Sequence, residues 1–352
     1  MLQCESVLNE FKAEESLTIE NLNLIFMEKN LHGLVCKCAL LLTVTLTLSY
    51  SSFSQLSAGT YFEGGITAGP MVFLGDLGGH AGKGTTFIKD YNLPTTRLTV
   101  GAFLAAYPAE WIGFRLNLNY GTLAGNDELI TNKGGDEDTR KLRNLNFRTR
   151  IGEAYIATEI YPTVFFENEP TDVQGRLRPY GLIGIGVFHF NPQGTYYDST
   201  TRQSSWVDLR PLHTEGEGFS EYPDRKEYSL TQINIPLGVG VKYYISENVN
   251  VSFEIIHRKT FTDYIDDVST TFIDPALFSK YLSPAQAKIA VEMADKSPLR
   301  NVPGSGYGVD GKRGDPTQND GYFTAGFKLA IRLGAGNERG WRNSTRCPVL
   351  RF

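Results

Sequence analysis

Apolar and polar residues alternate along much of the chain between residues 60 and 333. The pattern is clearest in the segment at residues 111–120, where every second side chain is apolar. Its apolar positions are Ile112, Phe114, Leu116, Leu118 and Tyr120, and the positions between them are Gly113, Arg115, Asn117 and Asn119. Successive side chains of a β-strand point to opposite faces, so this alternation predicts a strand with one apolar face and one polar face.

The same alternation recurs in other segments and predicts a series of strands separated by polar connections. We place the strands at residues 60–72, 96–107, 111–124, 145–162, 178–190, 229–245, 248–262 and 320–333. The predicted fold class is all-β, an antiparallel up-and-down transmembrane β-barrel of about eight strands, with apolar faces toward lipid and polar faces toward the interior. An even number of strands brings both ends of the chain to the same side of the membrane.

The predicted connections alternate between short and long ones. The short and moderate connections are residues 107–110, 163–177 and 246–248, and the long ones are about 73–95, 125–144, 191–228 and 263–319. Outer-membrane barrels combine short periplasmic turns with long extracellular loops, so this alternation sets the orientation of the chain. The last long loop lacks strand alternation between Pro275 and Lys296 and is rich in Ala and Lys, which predicts a helix there.

Ten charged residues are assigned to the polar faces and are expected to line the barrel interior. They are Arg115, Arg148, Arg150, Glu153, Glu159, Lys242, Glu254, Arg258, Lys328 and Arg332. Along residues 145–162 the arginines occupy even positions and the glutamates odd ones, and we predict a β-bulge near Gly152 that brings both sets inside. A barrel of about eight strands is just wide enough for side chains to fill, so opposite charges should pair and close the interior to water. The alternative is a narrow gated channel lined by these charges.

Composition agrees with an all-β membrane protein and excludes several other classes. The chain contains 36 Gly, 18 Tyr and 21 Phe but only 4 Met, which suits turns and aromatic-rich strands better than helices. A net charge of −5 leaves no basic field for a nucleic-acid backbone. Beyond residue 54 no apolar run approaches the ~20 residues that a membrane-spanning helix needs.

Residues 27–54 are typical of a cleavable signal peptide. Basic Lys29 and Lys37 stand ahead of an apolar stretch, and small residues precede a cleavage site before Gln55. This leader predicts export across the inner membrane.

The acidic segment at residues 1–26 does not suit a leader, and we interpret it as an extension ahead of a true start at Met27. The barrel is then predicted at residues 55–333. Of the four cysteines the mature chain would keep only Cys347, so no internal disulfide is expected.

No motif in the chain predicts catalysis, a cofactor or a small-molecule substrate. The Gly-rich segment at residues 78–86 lacks the leading Gly and the Ser or Thr of a phosphate-binding loop. Proteolysis at the barrel rim would need a carboxylate beside a histidine, and nothing in the sequence places one next to His213 or His257.

Two clusters of charge outside the strands are candidate binding sites. The first is a possible cation site where the seventh strand ends, although aspartates at such positions more often cap turns; its residues are Asp263, Asp266 and Asp267. The second is a basic tail at residues 334–352, on the periplasmic side; its basic residues are Arg339, Arg342, Arg346 and Arg351. Such a tail can hold lipid phosphates or dock on a periplasmic partner.

Four blocks of the sequence resemble a known family. They are GDLGG at residues 75–79, RNLNFRTRIGEAYIATEI at 143–160, RPYGLIGIGVFHF at 178–190 and FTDYIDDVSTTFIDPALF at 261–278. Together they are similar to the outer-membrane β-barrel family that includes PorG, a component of the type IX secretion system. The resemblance implies a barrel of the cell outer membrane without catalytic residues, which anchors a secretion machinery and contacts periplasmic proteins similar to PorK and PorN.

Two functions are open at this point. The first is a structural and interaction protein, a closed barrel that anchors a secretion machinery through its periplasmic tail. The second is an independent surface barrel, which acts as a narrow channel or as a ligand-binding or adhesion protein through its extracellular loops. Outer-membrane lipid is an expected partner in both cases, and nucleic acid in neither.

Overall fold

The computed structural model describes residues 60–77, 93–130, 136–166, 176–246, 248–302 and 305–333. The chain divides into two units, residues 1–58 and 59–352, and every described residue belongs to the second. The predicted N-terminal extension, signal peptide and basic tail all lie outside the described residues.

Ten antiparallel strands form one continuous sheet. They are β1 (Tyr61–Leu74), β2 (Arg97–Ala109), β3 (Ile112–Asn126), β4 (Asn146–Ile160), β5 (Leu177–His189), β6 (Pro192–Asp198), β7 (Gln203–Asp208), β8 (Thr231–Tyr244), β9 (Val249–Thr260) and β10 (Gly321–Leu333). Eight of them pair in the cyclic order β1, β2, β3, β4, β5, β8, β9 and β10, and β10 pairs back with β1. The prediction of a closed, eight-stranded, up-and-down barrel is confirmed, and each predicted strand lies within a few residues of an observed one.

The outer wall of the barrel is apolar because the outward positions of each strand carry exposed aliphatic or aromatic side chains. Examples are Phe62, Ile66, Leu104, Phe114, Leu116, Leu118, Ile156, Ile183, Ile185, Ile233, Val239, Phe253, Ile255, Phe327 and Leu329. At the end of the barrel with short turns, the rings of Trp111 and Phe165 lie 5.9 Å apart, and Tyr243 is exposed near the end of β8. An apolar band with aromatic residues at its border is the surface that a bilayer requires.

Short connections lie at one end of the barrel and long ones at the other, as the sequence predicts. The short connections are residues 110–111, 161–176 and 245–248, and the long ones are 75–96, 127–145, 190–230 and 261–320. The long end is extracellular by the usual topology of such barrels. Two elements there were not predicted, the hairpin of β6 and β7 and a short helix, α1 (Asp136–Arg143).

The predicted β-bulge near Gly152 is wrong. Strand β4 pairs residue for residue with β3 from Ile160 opposite Ile112 to Asn146 opposite Asn126, so its inward positions are odd-numbered throughout. Glu153 and Glu159 therefore face the interior as expected, whereas Arg148 and Arg150 face outward, in contrast to the prediction. Polar residues move from odd to even positions in the sequence because Arg148 and Arg150 lie at the extracellular end of the strand, where the outer wall is no longer apolar.

The helix predicted between Pro275 and Lys296 is present but divided. A single turn, α2 (Phe278–Tyr281), ends at Leu282, and α3 (Pro284–Ala294) begins after an extended Ser283. The division follows from Pro284, because the residue before a proline is disfavoured in the helical conformation. None of the helices in the described ranges has the length and apolar character needed to cross a bilayer.

The long connections pack together over the extracellular mouth. We call their described residues, 75–77, 93–96, 127–130, 136–145, 190–230, 261–302 and 305–320, the extracellular cap. One hydrophobic cluster joins the cap to the upper strand ends; its cap residues include Phe190, Leu209, Leu212, Phe219, Ile265, Val268, Ile273, Phe278, Ala290 and Met293, and its strand residues include Met71, Phe73, Leu123, Phe147, Ile151, Phe188 and Tyr322. These segments bury a shared core, so the cap is a folded part of the molecule.

We expect the destabilisation caused by a charged residue on the lipid-facing wall to depend on its depth in the membrane. Ile185 lies on the outward face of β5 opposite Ile156, and Leu177 lies on the same face at the periplasmic end. Ile185→Arg should destabilise the barrel by about 2–4 kcal/mol and Leu177→Arg by about 0–1 kcal/mol, since the cost of Arg falls toward the interface. Urea unfolding in lipid vesicles measures both, and equal losses for the two variants would contradict a membrane band centred near Ile185.

Candidate functional site

The barrel interior holds a balanced set of charges. Among the inward side chains of the described strands, four carboxylates and four cations form its central network, and none of them is more than 6% exposed. They are Glu63, Glu153, Glu159 and Glu254, and Arg115, Lys242, Arg258 and Lys328. Seven of the eight were predicted from the alternation pattern, and Glu63 was not. Its inward position could have been inferred from Phe62 and Ile66, which face lipid on either side of it in β1.

The middle of the interior is a tight group of two cations and two carboxylates. The Arg115 guanidinium lies 2.9 Å from a Glu159 oxygen and 2.5 Å from a Glu254 oxygen. The Lys328 Nζ lies 2.9 Å from a carboxylate oxygen of Glu159 and 2.9 Å from one of Glu254. Each cation thus contacts both carboxylates. This arrangement offsets the cost of removing four charges from water, which one isolated pair would not do.

A second group lies toward the periplasmic end. Lys242 Nζ donates to Glu63 at 3.0 Å and to the Tyr107 hydroxyl at 2.9 Å. The second oxygen of Glu63 accepts from the Asn250 amide at 2.9 Å. Tyr107 in turn donates to Glu159 at 2.7 Å, so the lower group and the middle group form one continuous network.

A third group lies toward the extracellular end. Arg258 meets Glu153 through Nε and Nη2, both at 3.2 Å. Glu153 also accepts from Asn119 at 2.8 Å, from Asn234 at 2.7 Å and from the Tyr322 hydroxyl at 3.0 Å. With these partners the carboxylate is satisfied without water, as a buried charge requires.

Inward glycines leave room for tyrosine rings that cross the interior. A Cβ on Gly113 would lie 2.3 Å from the Tyr107 ring, and one on Gly240 would lie 2.6 Å from the Tyr180 ring. Tyr180 reaches the Glu254 carboxylate, to which its hydroxyl donates. The contacts of Arg115 on β3 with Glu254 on β9, and of Lys242 on β8 with Tyr107 on β2, reach across the interior to the opposite wall.

A narrow space is left beside this network. One cavity, lined among others by Asn117, Tyr155, Glu254 and Arg258, has a volume of about 30 Å³. That is room for on the order of one or two water molecules, not for a continuous water column. The geometry favours the sealed barrel over the channel that the sequence left open.

The remaining predicted interior residue, Arg332, lies on the inward phase of β10 near the periplasmic rim. Its guanidinium lies 4.2 Å from the centre of the Tyr61 ring. Another rim cation, Arg178, was missed; it donates to Glu110 at 2.9 Å. These residues border the network without belonging to its centre.

The three aspartates at the end of β9 do not form one site. Asp267 faces the cap, where it accepts from Thr214 at 2.5 Å and from Tyr228 at 2.6 Å and lies 3.8 Å from the Arg313 guanidinium. Asp263 and Asp266 lie instead in a cluster with Asp76 and Asp320. Burial raises the pKa values of Asp266 and Asp320, and repulsion from the other carboxylates raises them further. In the part of the chain that the structure describes, no group of three or more His, Cys, Asp or Glu side chains is arranged to hold a metal ion.

Backbone amides tie this acidic cluster to separate segments of the cap. Asp76 accepts from the Asp315 amide at 2.6 Å, and Asp266 accepts from the Leu77 amide at 2.9 Å. Asp320 accepts from the Ile265 amide at 2.8 Å. The cluster joins the ends of β1 and β10 to the last long loop, so its charge state bears on the stability of the cap.

Two buried arginines connect the other segments of the cap. Arg313 donates to Glu215 at 2.8 Å and to the Ala294 carbonyl at 3.0 Å. Arg143, at the end of α1, donates to Asp127 at 2.8 Å and to the Asp76 carbonyl at 2.6 Å. Long-range contacts of this kind explain why the cap could not be predicted from local sequence patterns.

The two histidines considered for catalysis have separate surroundings. His257 occupies an outward position on β9, so its ring belongs to the barrel wall rather than to the interior network. His213 lies in the cap, where its Nδ1 is 2.7 Å from the Glu217 carbonyl oxygen. The two side chains thus occupy different parts of the molecule.

The fold and its surface define the class of the protein. A closed eight-stranded barrel with an apolar outer wall, a polar interior and long loops at one end is a β-barrel of the cell outer membrane. The strand topology and the outward apolar positions carry this conclusion by themselves.

Comparisons with known proteins add little to that class. No family model and no curated protein matches the chain. Among solved structures, Ail, the attachment invasion locus protein of Yersinia pestis, is 7% identical with a TM-score of 0.31, covering 78% of this chain and 97% of its own. A major outer membrane protein from Thermus thermophilus is 11% identical with a TM-score of 0.34, and the match covers 78% of this chain and 100% of that protein. Neisserial surface protein A is 9% identical with a TM-score of 0.28, and the match covers 78% of this chain and 99% of that protein. At these scores the likeness carries no argument about function.

We expect the interior network to depend on the charge of Glu159. Glu159→Gln leaves Arg115 and Lys328 short of one buried counter-charge, which should destabilise the barrel by about 3–5 kcal/mol. Glu227→Gln is the matched control, because its pair with Arg210 at 3.2 Å is solvent-exposed and such pairs contribute about 0–1 kcal/mol. Denaturant unfolding in vesicles measures both, and a loss for Glu159→Gln no larger than the control would contradict the network's role.

We also expect the stability of the cap to depend on pH through Asp263. Burial raises the pKa of this carboxyl to about 8, and the nearby Asp76 adds repulsion. A raised pKa means that the folded state holds the proton more tightly, so stability falls as the pH rises from about 4 toward 8. Asp263→Asn lacks this titration, so the difference between its free energy of unfolding and that of the natural chain should increase in favour of the variant from pH 5 to pH 9.

Thermal unfolding at several pH values measures the difference between the two chains. Asp198→Asn, at the end of β6, is the control, because hydrogen bonds from Thr200 and Thr201 lower the pKa of Asp198 instead of raising it. If Asp263→Asn and the natural chain keep a constant difference from pH 5 to pH 9, the buried-acid interpretation fails.

Proposed function

We propose that this protein is a non-enzymatic, structural barrel that anchors a secretion machinery of the type IX kind in the outer membrane. The observation that supports the proposal is the filled interior, in which, among the described residues, eight paired charges and inward tyrosine rings pack beside a cavity of only about 30 Å³. A barrel that conducts nothing serves through its surfaces, either as a membrane anchor or as a platform for partners.

The periplasmic side is where the proposed partners act. The basic tail at residues 334–352 follows β10, whose C-terminal end lies on the side of the short turns. We infer that its arginines contact acidic surfaces of periplasmic ring proteins similar to PorK and PorN. The four sequence blocks that resemble the PorG-containing family support this assignment.

A second candidate is an independent surface barrel that acts in ligand binding or adhesion through its extracellular cap. A cavity of about 520 Å³ in the cap favours it; the lining includes Tyr197, Glu292, Lys296 and Arg300. Polar and charged groups around such a space could receive a polar ligand. In this case the periplasmic tail would be dispensable for the partners of the protein.

Affinity purification from membranes separates the two candidates. Three chains are compared: the full chain, a chain ending at residue 333, and a full-length chain in which four arginines become glutamine, at Arg339, Arg342, Arg346 and Arg351. The four-substitution variant keeps the length of the chain, so it answers the question even where truncation impairs assembly. Lys226→Gln, on the exposed cap, is the control for a change of charge elsewhere.

The anchoring proposal predicts that periplasmic proteins copurify with the full chain and with Lys226→Gln. Both tail variants should lose them while the barrel is still folded, as judged by its heat-dependent mobility in gels. An identical partner list for all chains would overturn the role of the tail and favour the extracellular candidate.

A further inference from the structure

Two arginines stand on the lipid-facing side of the barrel. Arg148 and Arg150 occupy outward positions at the extracellular end of β4, and Arg150 is exposed. Within the described ranges neither guanidinium forms an ion pair with a carboxylate. Charged side chains on the outer wall of a barrel are costly at the bilayer centre, so their depth determines whether they contact acyl chains or headgroups.

Their depth follows from the geometry of the strand. Arg150 lies ten residues along β4 from Ile160, which is exposed at the periplasmic end of the same face. At a rise of about 3.4 Å per residue and a tilt of about 40°, ten residues climb roughly 26 Å along the membrane normal. The apolar band of such barrels is about 25 Å tall, so Arg150 lies at its outer border.

The neighbouring strand gives the same level. Tyr120 faces outward on β3 opposite Gly152, one outward step below Arg150, and is 56% exposed. Aromatic residues mark the interface between hydrocarbon and headgroups. The two arginines therefore lie in the outer leaflet, at the boundary between the acyl chains and the headgroups.

Arg148 is held in a fixed orientation. Its guanidinium lies 4.1 Å from the centre of the Trp206 ring on β7, and its Nε donates to the Gln193 side chain on β6 at 3.1 Å. These contacts leave the terminal nitrogens as donors, and they reduce the ordering cost of binding an anion. The β6–β7 hairpin therefore positions a cation at the level of the lipid headgroups.

We propose that Arg148 and Arg150 form a binding site for a phosphate group of a phosphorylated glycolipid in the outer leaflet. The planar guanidinium matches phosphate through paired, charge-assisted hydrogen bonds. Trp206 supplies the apolar surface that keeps Arg148 against the wall beside the lipid. The site fixes the barrel to its lipid surroundings on the extracellular side, independently of any periplasmic partner.

Native mass spectrometry of the folded barrel in detergent tests the site. The probes are diphosphorylated lipid A, the same lipid without phosphates, and phosphatidylglycerol. The variant is Arg148→Gln with Arg150→Gln, and the matched control is Arg202→Gln with Lys226→Gln, which removes two exposed charges from the cap.

The natural chain and the control should retain diphosphorylated lipid A, and the Arg148/Arg150 variant should lose at least about tenfold in affinity, the effect of removing charged hydrogen bonds. The lipid without phosphates should bind all chains equally and weakly. Equal retention of diphosphorylated lipid A by all chains overturns the site. Equal binding of phosphatidylglycerol by the natural chain overturns the glycolipid assignment.

Discussion

The structure depends on the mutual neutralisation of charges inside a narrow barrel. Eight ionic side chains are almost completely removed from bulk water, and each would be unfavourable alone. Arg115 and Lys328 share two carboxylates, so burying these four charges is favourable only when all of them are present. The eight-strand circumference is what brings opposite walls close enough for these contacts.

In the proposed function, the filled interior and the folded cap leave the surfaces of the molecule to contact its partners. The cap has its own hydrophobic core and is tied to the strand ends by Arg143, Arg313 and the acidic cluster around Asp266. The outer wall carries lipid-facing residues and, at its upper border, Arg148 and Arg150. In the proposed function, the barrel connects the lipid bilayer with partners on the periplasmic side.

Much of the barrel could be predicted from sequence because alternation with period two directly reports which side chains face lipid. Prediction failed where that contrast is weak. Small residues occupy several positions of β1, so Glu63 was overlooked, and the arginines at the top of β4 suggested a bulge that is absent. The cap was predicted only as loops with one helix, since contacts such as Arg313 with Glu215 join residues far apart in the chain.

Electrical recording across a planar bilayer tests the central claim most directly. A barrel whose lumen is filled by paired charges should insert without producing conductance steps at any applied voltage within the stability of the bilayer. Stable, repeated openings from the folded natural chain would contradict the sealed interior, and with it the interpretation of the protein as an anchor.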